Sequence, residues 1–303
     1  MNRRAALTAC AAAVTLPWAP LVRAAPLQVT DDSGHRVVLS APARRIVALS
    51  PQLLELCAAA GASRQVVGTI RGAADVRWAR KLPIVGDAFA LNLEAIALLK
   101  PDLILAWQSG TPPRDVARLQ ALGIPVYWSQ ANTFEALAAT VQRIGVLAGT
   151  VPAATRWVRD FDQRLTALRQ RYAAQRPAVR VFYQVWSRPL ITVGGPQLIT
   201  QAITLCGGRN VFGALAVLSP SVSVEAVVQA DPQLIVASGP RTAAWLQEWQ
   251  RFTQISAVRH HQLVALPGDT LSRMGVDVLD GVQQLCSALA TARKQLRQSA
   301  EKP

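Results

Sequence analysis

Residues 92–107 read N-L-E-A-I-A-L-L-K-P-D-L-I-L-A-W, and residues 223–238 read S-V-E-A-V-V-Q-A-D-P-Q-L-I-V-A-S. The second stretch repeats the first in register. Asn92 and Ser223 are preferred N-caps, because their side-chain oxygens accept a bond from an orphan amide of the first helical turn. Glu94 and Glu225 fall in that turn, where the helix dipole favours negative charge. Pro101 and Pro232 stop each helix. A run rich in Leu, Ile and Val follows, the composition of a strand buried on both faces. Solenoids repeat every 20–50 residues or so. This spacing is far longer and marks two related α/β lobes in one chain. Two lobes make a cleft, and clefts hold ligands.

The same alternation extends on either side of each copy. The stretch L-Q-V-T-D-D-S-G-H-R-V-V-L from Leu27 alternates about a turn and reads as a hairpin. Residues 45–49 read as a strand, Pro51 opens a helix ending at Gly61, and Val66 begins a second strand. A loop with Gly72 and Trp78 leads into the first copy. A helix over 114–123, a strand over 126–128 and a helix over about 133–148 complete the first lobe. From Pro152 to Gln175 the strand signal vanishes. Ala154, Trp157, Val158, Phe161, Leu165, Leu168 and Tyr172 recur at spacings of three and four, one apolar stripe on an Arg-rich helix. At 1.5 Å per residue this helix would be about 35 Å long, a rigid connector between the lobes. The second lobe restarts at Arg180 with V-F-Y-Q-V-W. Pro196-Gln197-Leu198-Ile199 echoes Pro51-Gln52-Leu53-Leu54 as a helix start, and Asn210-Val211-Phe212-Gly213 echoes Gln65-Val66-Val67-Gly68. A Trp-bearing helix over 242–252, a strand over 263–266, a loop holding Asp269 and Arg273, and a terminal helix to about Gln298 finish the chain. The expected organisation is a leader over 1–24, a first α/β lobe over 25–150, a connecting helix over 151–176 and a second α/β lobe over 177–303.

The leader has the marks of a signal peptide: Arg3 and Arg4, an apolar stretch from Ala5 to Leu21, and the small-residue cleavage site Val22-Arg23-Ala24. Cleavage near Ala24 would send the mature chain to the periplasm. The net charge of +14 rests on arginines spread along the chain without alternating aromatics, a solvated surface that argues against nucleic acid as partner. Of four cysteines, Cys10 leaves with the leader, and no C-x-x-C pair exists for a metal or redox site. Cys57 lies in the apolar helical L-L-E-L-C-A-A-A-G and reads as a buried free thiol. Cys206 and Cys286 each lie near the end of an apolar helical stretch in the second lobe.

Catalytic chemistry finds no foothold. G-x-S-x-G, P-loop and dinucleotide fingerprints are missing from the sequence. His35 sits in the hairpin, and the adjacent His260 and His261 point to opposite faces of an extended chain, a poor start for a metal site. This favours a binding protein over an exported enzyme. Aromatics are the better clue: Trp107 ends the strand of the first copy and Trp186 the strand that opens the second lobe. Ligands of open α/β sheets bind outside the carboxyl ends of strands. Asp269 and Arg273, in a loop after a strand, could fix an amide-bearing or anionic ligand.

In order along the chain, V-T-D-D-S-G-H-R-V-V-L, R-R-I-V-A-L-S-P-Q-L-L-E-L and N-L-E-A-I-A-L-L-K-P-D-L-I-L-A-W resemble the opening of the periplasmic ligand-binding proteins of cobalamin and iron-siderophore ABC importers. V-F-Y-Q-V-W-S-R-P, L-C-G-G-R-N-V-F and V-Q-Q-L-C-S-A-L are similar to the cobalamin-binding branch. The resemblance implies a class III periplasmic-binding fold, two α/β lobes bridged by one long rigid helix, with little closure on binding. It implies a monomer that delivers a corrinoid such as cobalamin to the importer's permease at the inner membrane, with no cofactor of its own and no protein ligand to the metal. Glu94 and Glu225 match glutamates that dock the lobes onto permease arginines. Trp107 matches a cleft tryptophan, Asp269 and Arg273 match polar residues beside the corrin, and Cys206 and Cys286 match a disulfide pair. Some cleft aromatics differ: Gly72 stands for a tyrosine, Ala88 and Ser219 for tryptophans, and Val185 for a phenylalanine, with Phe89, Trp78 and Trp186 near enough to compensate. Cobalamin, another corrinoid, haem and a ferric siderophore all stay open as the ligand.

Overall fold

The structure, a computed structural model, describes residues 25–72, 76–239, 241–268 and 270–300. The expected leader lies outside these residues, and so does Asp269. The first lobe opens on the antiparallel hairpin β1 (Leu27–Thr30) and β2 (Arg36–Leu39). Its turn closes because one Asp31 carboxylate oxygen accepts the amides of Ser33 and His35 at 2.9 and 2.8 Å. Strands and helices then alternate: β3 (Ile46–Ala48), α1 (Pro51–Ala59), β4 (Val66–Thr69), α2 (Leu93–Leu98), β5 (Leu103–Trp107), α3 (Pro113–Ala121), β6 (Val126–Ser129) and α4 (Phe134–Ala148). The four strands are parallel, in the order β4-β3-β5-β6. Ser50 caps α1, its hydroxyl accepting the Leu53 amide at 3.2 Å, and Pro51 is pre-set for the first helical position.

The connector is α5 (Val151–Tyr172), whose 22 residues span about 33 Å at 1.5 Å each. Its buried stripe holds Ala154, Phe161, Leu165 and Tyr172, with Trp157 stacked on Phe161 at 4.9 Å. The second lobe follows with β7 (Val179–Trp186), β8 (Ile191–Thr192), α6 (Leu198–Leu205), β9 (Gly208–Asn210), α7 (Val224–Ala230), β10 (Leu234–Ser238), α8 (Thr242–Gln247), α9 (Ser256–Arg259), β11 (Leu263–Leu266), α10 (Thr270–Arg273) and α11 (Val278–Ala300). Its parallel strands run β9-β7-β10-β11, the order of the first lobe, with the short antiparallel β8 added on β7.

The sequence repeat is a structural one. Asn92 Oδ1 accepts the Ala95 amide at 2.9 Å, and Ser223 Oγ accepts the Ala226 amide at 3.1 Å. Lys100 and Asp231, each just before the proline, both take left-handed backbone at φ +45° and +41°. A clamp not visible in the pattern recurs as well. Arg45 Nε donates to the Leu99 carbonyl at 2.7 Å, and Arg180 Nε to the Asp231 carbonyl at 2.9 Å, so an arginine satisfies the end of each repeat helix.

Three readings shift. The echo at Asn210 is not in strand register: β9 ends there, because Asn210 Oδ1 accepts the Phe212 amide at 2.9 Å and turns the chain. The helix expected from Pro196 begins at Leu198, capped by Gln197, whose Oε1 accepts the Ile199 amide at 2.6 Å. Arg273, expected in a loop, ends the short helix α10.

One continuous apolar core runs from Val37 and Leu39 of the hairpin through α1, α4 and α5 to α6 and α11. Smaller clusters lie under α2 and α3 in the first lobe and under α7 to α9 in the second. Cys206 and Cys286 form a disulfide that ties the end of α6 to α11. Cys57 is a buried free thiol, pushed up to about 12 by that burial. Among the described residues no helix is long and apolar enough to cross a membrane.

Candidate functional site

The residues singled out from the sequence gather at the carboxyl ends of the two parallel sheets, Trp107 at the end of β5 and Trp186 at the end of β7. Glu55 on α1, which leaves the end of β3, pairs with Arg273 on α10, which follows β11, at 2.8 Å. Both side chains are largely buried, and Gly275 packs so closely on the Glu55 carboxylate that a Cβ there would overlap it. This ion pair ties the two lobes together.

Trp107 ends β5 on the first-lobe wall, half-buried against the main core. Its backbone amide donates to Thr111 Oγ1 at 2.9 Å, and its carbonyl accepts the Thr111 amide at 2.8 Å. The tight turn lays the indole directly on Gly110, where any Cβ would strike the ring. Beside it lies a polar shelf that sequence reading missed. Ser109 Oγ donates to Gln130 Oε1 at 2.6 Å, and Gln130 Nε2 donates to Asn132 Oδ1 at 2.8 Å. Buried Asp32 anchors the shelf, accepting the Gln130 amide at 2.8 Å and pairing with Arg143 at 2.6 Å. Such amide and hydroxyl groups suit a ligand rimmed with amides.

Trp186 ends β7 on the second-lobe wall and is 49% exposed. Its indole N–H donates to the Arg188 carbonyl at 3.1 Å, and Trp245 of α8 meets it edge to face at 5.5 Å. With Arg188, Arg241 and Glu248 the two rings line a cavity of about 610 Å³. Trp245, on the Trp-bearing helix expected over 242–252, is thus part of this wall. Behind it the buried Trp249 donates to Gln184 Oε1 at 2.8 Å and fixes the base of the wall. Of the other expected residues, Gly72 has left-handed backbone at φ +98°, and Phe89 stands 91% exposed in a turn held by Asp87. Ala88 is exposed, Val185 is half-buried and Ser219 is exposed.

Glu94 and Glu225 are exposed at matching points of α2 and α7. The Glu225 carboxyl lies below its usual range, because its own backbone amide and the Ser223 hydroxyl bond to it. Among the described residues no group of three or more His, Cys, Asp and Glu could hold a metal ion.

Two α/β lobes of one topology joined by a single long helix define a bilobal α/β protein. The periplasmic binding protein family model matches residues 46–270, and the chain belongs to that family. It is 36% identical over 260 residues to the vitamin B12-binding protein of Vibrio cholerae serotype O1, covering 84% of this chain and 92% of that one. The crystal structure of the periplasmic vitamin B12-binding protein BtuF of Vibrio cholerae superposes with a TM-score of 0.76 at 36% identity, over 84% of this chain and 99% of that one. The periplasmic haem-binding protein RhuT of Roseiflexus sp. RS-1 superposes with a TM-score of 0.71 at 21% identity, over 82% and 98%. That last likeness is one of fold.

Proposed function

We propose that this protein is the periplasmic binding component of an ABC importer, carries a corrinoid between its lobes and binds cobalamin, one molecule per chain. The observation that carries this reading is the likeness to a vitamin B12-binding protein at 36% identity along nearly all of the described chain. The cleft chemistry supports it. Corrins have broad apolar faces and a rim of amides. Trp107 and Trp186 can cover the faces, while the Ser109–Gln130–Asn132 shelf can bond the amides. Arg273 and Asp269 would bond the polar rim of the ligand. Glu94 and Glu225, exposed at equivalent places, would dock the two lobes on the permease. The protein acts by binding and release as a monomer, not by turnover.

Haem and ferric siderophores are the alternatives. A protein that grips haem iron often does so through an axial histidine or tyrosine. Here His35 lies in the hairpin turn and His260 and His261 directly follow α9, while Tyr127, Tyr172 and Tyr183 are buried in the core. Calorimetric titration of the mature protein with cobalamin, cobinamide, haem and a ferric hydroxamate tests the reading. Tight one-to-one binding of a corrinoid is expected. Heat from haem or the siderophore alone would reassign the ligand within the importer class.

A further inference from the structure

The ends of α5, α6 and α11 meet around a group of arginines. Arg293, buried, donates to the Cys206 and Gly207 carbonyls after α6 at 3.2 and 3.0 Å, to the Pro177 carbonyl at 2.9 Å and to Gln175 Oε1 at 2.7 Å. Arg176 Nη1 donates to the Ala173 and Gln175 carbonyls after α5 at 3.0 and 2.9 Å. Arg297, in the last turn of α11, donates through Nη2 to the Arg176 carbonyl. With Lys294, Gln175 and Gln298 these arginines line a cavity of about 410 Å³, within the range of small-ligand sites. Among the described residues no carboxylate lines it, and none pairs with Arg176, Arg293, Lys294 or Arg297. Helix ends favour cations, but not this many. A helix carboxyl end is equivalent to about half a negative charge, so the ends of α5, α6 and α11 offset roughly one and a half of the four positive charges. About two and a half remain. Arg293 registers the crowding: after burial, the charges of Arg297 and Arg176 lower its proton affinity.

We propose that this cavity binds a phosphate-type anion carrying at least two negative charges, as a free ion or as a phosphomonoester headgroup. Arg176 and Arg297 would bond its oxygens, Lys294 would close the rim, and Arg293 would hold the positive field beneath. The division follows from the donors each side chain has left. Arg293 has four of its five N–H groups committed to the fold. Arg176 keeps Nε and Nη2, Arg297 keeps Nε and Nη1, and Lys294 keeps its ammonium. Guanidinium groups meet phosphate oxygens in planar, charge-assisted pairs. A monovalent anion would leave much of the surplus charge in place, whereas a dianion removes it. No aromatic side chain lines the cavity, so a nucleotide base would find nothing to stack on. The site is remote from the tryptophan wall: it lies beside Val179 at the start of β7, and Trp186 ends that eight-residue strand, about 25 Å away at 3.3 Å per residue. Occupancy would relieve repulsion among the arginines and brace α5 against α11, stabilising the fold by mass action.

The test uses inorganic pyrophosphate as the probe and needs no corrinoid. Calorimetry on the mature protein at about 0.15 M salt should show one pyrophosphate per chain with Kd below about 1 mM, and chloride should not compete at that concentration. Melting temperature should rise with pyrophosphate. Arg176→Gln and Arg297→Gln should each weaken binding about tenfold, the scale of a charge-assisted bond. The two changes combined with Lys294→Gln should abolish it. A second triple variant, Lys81→Gln with Arg114→Gln and Arg156→Gln, removes the same charge at exposed positions elsewhere and should bind as the wild type does. Circular dichroism of each variant separates lost binding from misfolding, and Arg176→Lys, which keeps the charge, should retain part of the affinity. Sedimentation with phosphatidylcholine vesicles containing phosphatidic acid identifies the source of the anion. Sedimentation that pyrophosphate competes away assigns the headgroup, and protein left in the supernatant assigns the free ion. Absence of saturable pyrophosphate binding to the wild-type protein would overturn the site. So would equal weakening by the two triple variants, which would reduce the effect to net charge alone.

Discussion

Trp107 is held by its neighbours more than by its own side chain. The Thr111 hydroxyl and backbone fix its main chain, and Gly110 leaves the space the ring occupies. Gly110→Ala would push a methyl group into the indole. We expect that substitution to weaken corrinoid binding on the order of tenfold while changing stability little, since the ring can swing into the cleft. Calorimetry and tryptophan fluorescence check it, and unchanged affinity would show that the ring position is not critical. Cys57 makes a second residue-scale prediction. Its thiol is fully buried and pushed up to about 12, so thiolate chemistry is closed to it in the fold. Native mature protein should take up no alkylating reagent. Unfolding without reductant should expose one thiol, and unfolding with reductant three, because Cys206 and Cys286 are paired. Labelling of two or more thiols without reductant would contradict the pairing. Arg293, only 4% exposed, donates to the carbonyls of Pro177, Cys206 and Gly207 and to Gln175 Oε1. Burial, then the charges of Arg297 and Arg176, lower its proton affinity, yet it pins the end of α6 to α11. Arg293→Met should cost about 3 kcal/mol in denaturant unfolding, because four acceptors lose their donor.

Elements show what a sequence can and cannot disclose. The repeat at 92–107 and 223–238 was legible because caps, prolines and apolar runs are local, and each copy becomes helix, left-handed residue and buried strand. The connector was legible from its three-four stripe. What stayed hidden depends on partners far along the chain. The arginine clamps at Arg45 and Arg180, the Glu55–Arg273 tie and the Trp186–Trp245 corner join residues that no local pattern links. The β9 register was missed because an Asn-driven turn outweighs an apolar run that looks strand-like. Between elements, Glu135 at the start of α4 accepts from Arg169 of α5 at 2.5 Å and from Gln201 of α6 at 3.1 Å. Burial alone would raise its carboxyl, but these bonds, its own backbone amide and the Arg169 charge outweigh it and hold it near 2, against an ordinary 4.5. A depressed carboxyl stabilises the fold above its unfolded value and loses that contribution as pH falls from about 4.5 to about 2. More than half of this side chain is exposed, so solvent screens the effect. Glu135→Gln should lower stability at neutral pH by about 0.5 kcal/mol, and the gap should close as the pH nears 2. A gap that persists at that pH would mean that packing, not charge, is at work.

At the scale of the whole molecule, we expect the lobes not to move as two bodies on a hinge. A single apolar core passes through α1, α4, α5, α6 and α11, so opening the cleft would have to expose part of it. Glu55 and Arg273 pair between the lobes, while Arg169, Glu135 and Gln201 fasten α4, α5 and α6 to one another. A ligand site between the lobes is therefore expected to be pre-formed, its shape ready before the ligand arrives. Pseudo-symmetry has a second consequence. Glu94 and Glu225 recur at the same place in each lobe, and a rigid connector should keep their separation constant whether or not ligand is bound. A permease could then read both at once as a fixed pair of negative charges, and a rigid pair avoids the ordering cost that a mobile one would meet. Glu94→Ala with Glu225→Ala should leave corrinoid affinity unchanged and reduce uptake through the cognate permease on the order of tenfold, with each single change giving less. Normal uptake by the double variant would sink the docking role. Rigidity itself can be measured in solution: small-angle scattering curves with and without saturating cobalamin should superpose. If ligand shrank the particle as a hinge closure would, the continuous core would not be acting as a brace, and the fixed spacing of the two glutamates would go with it.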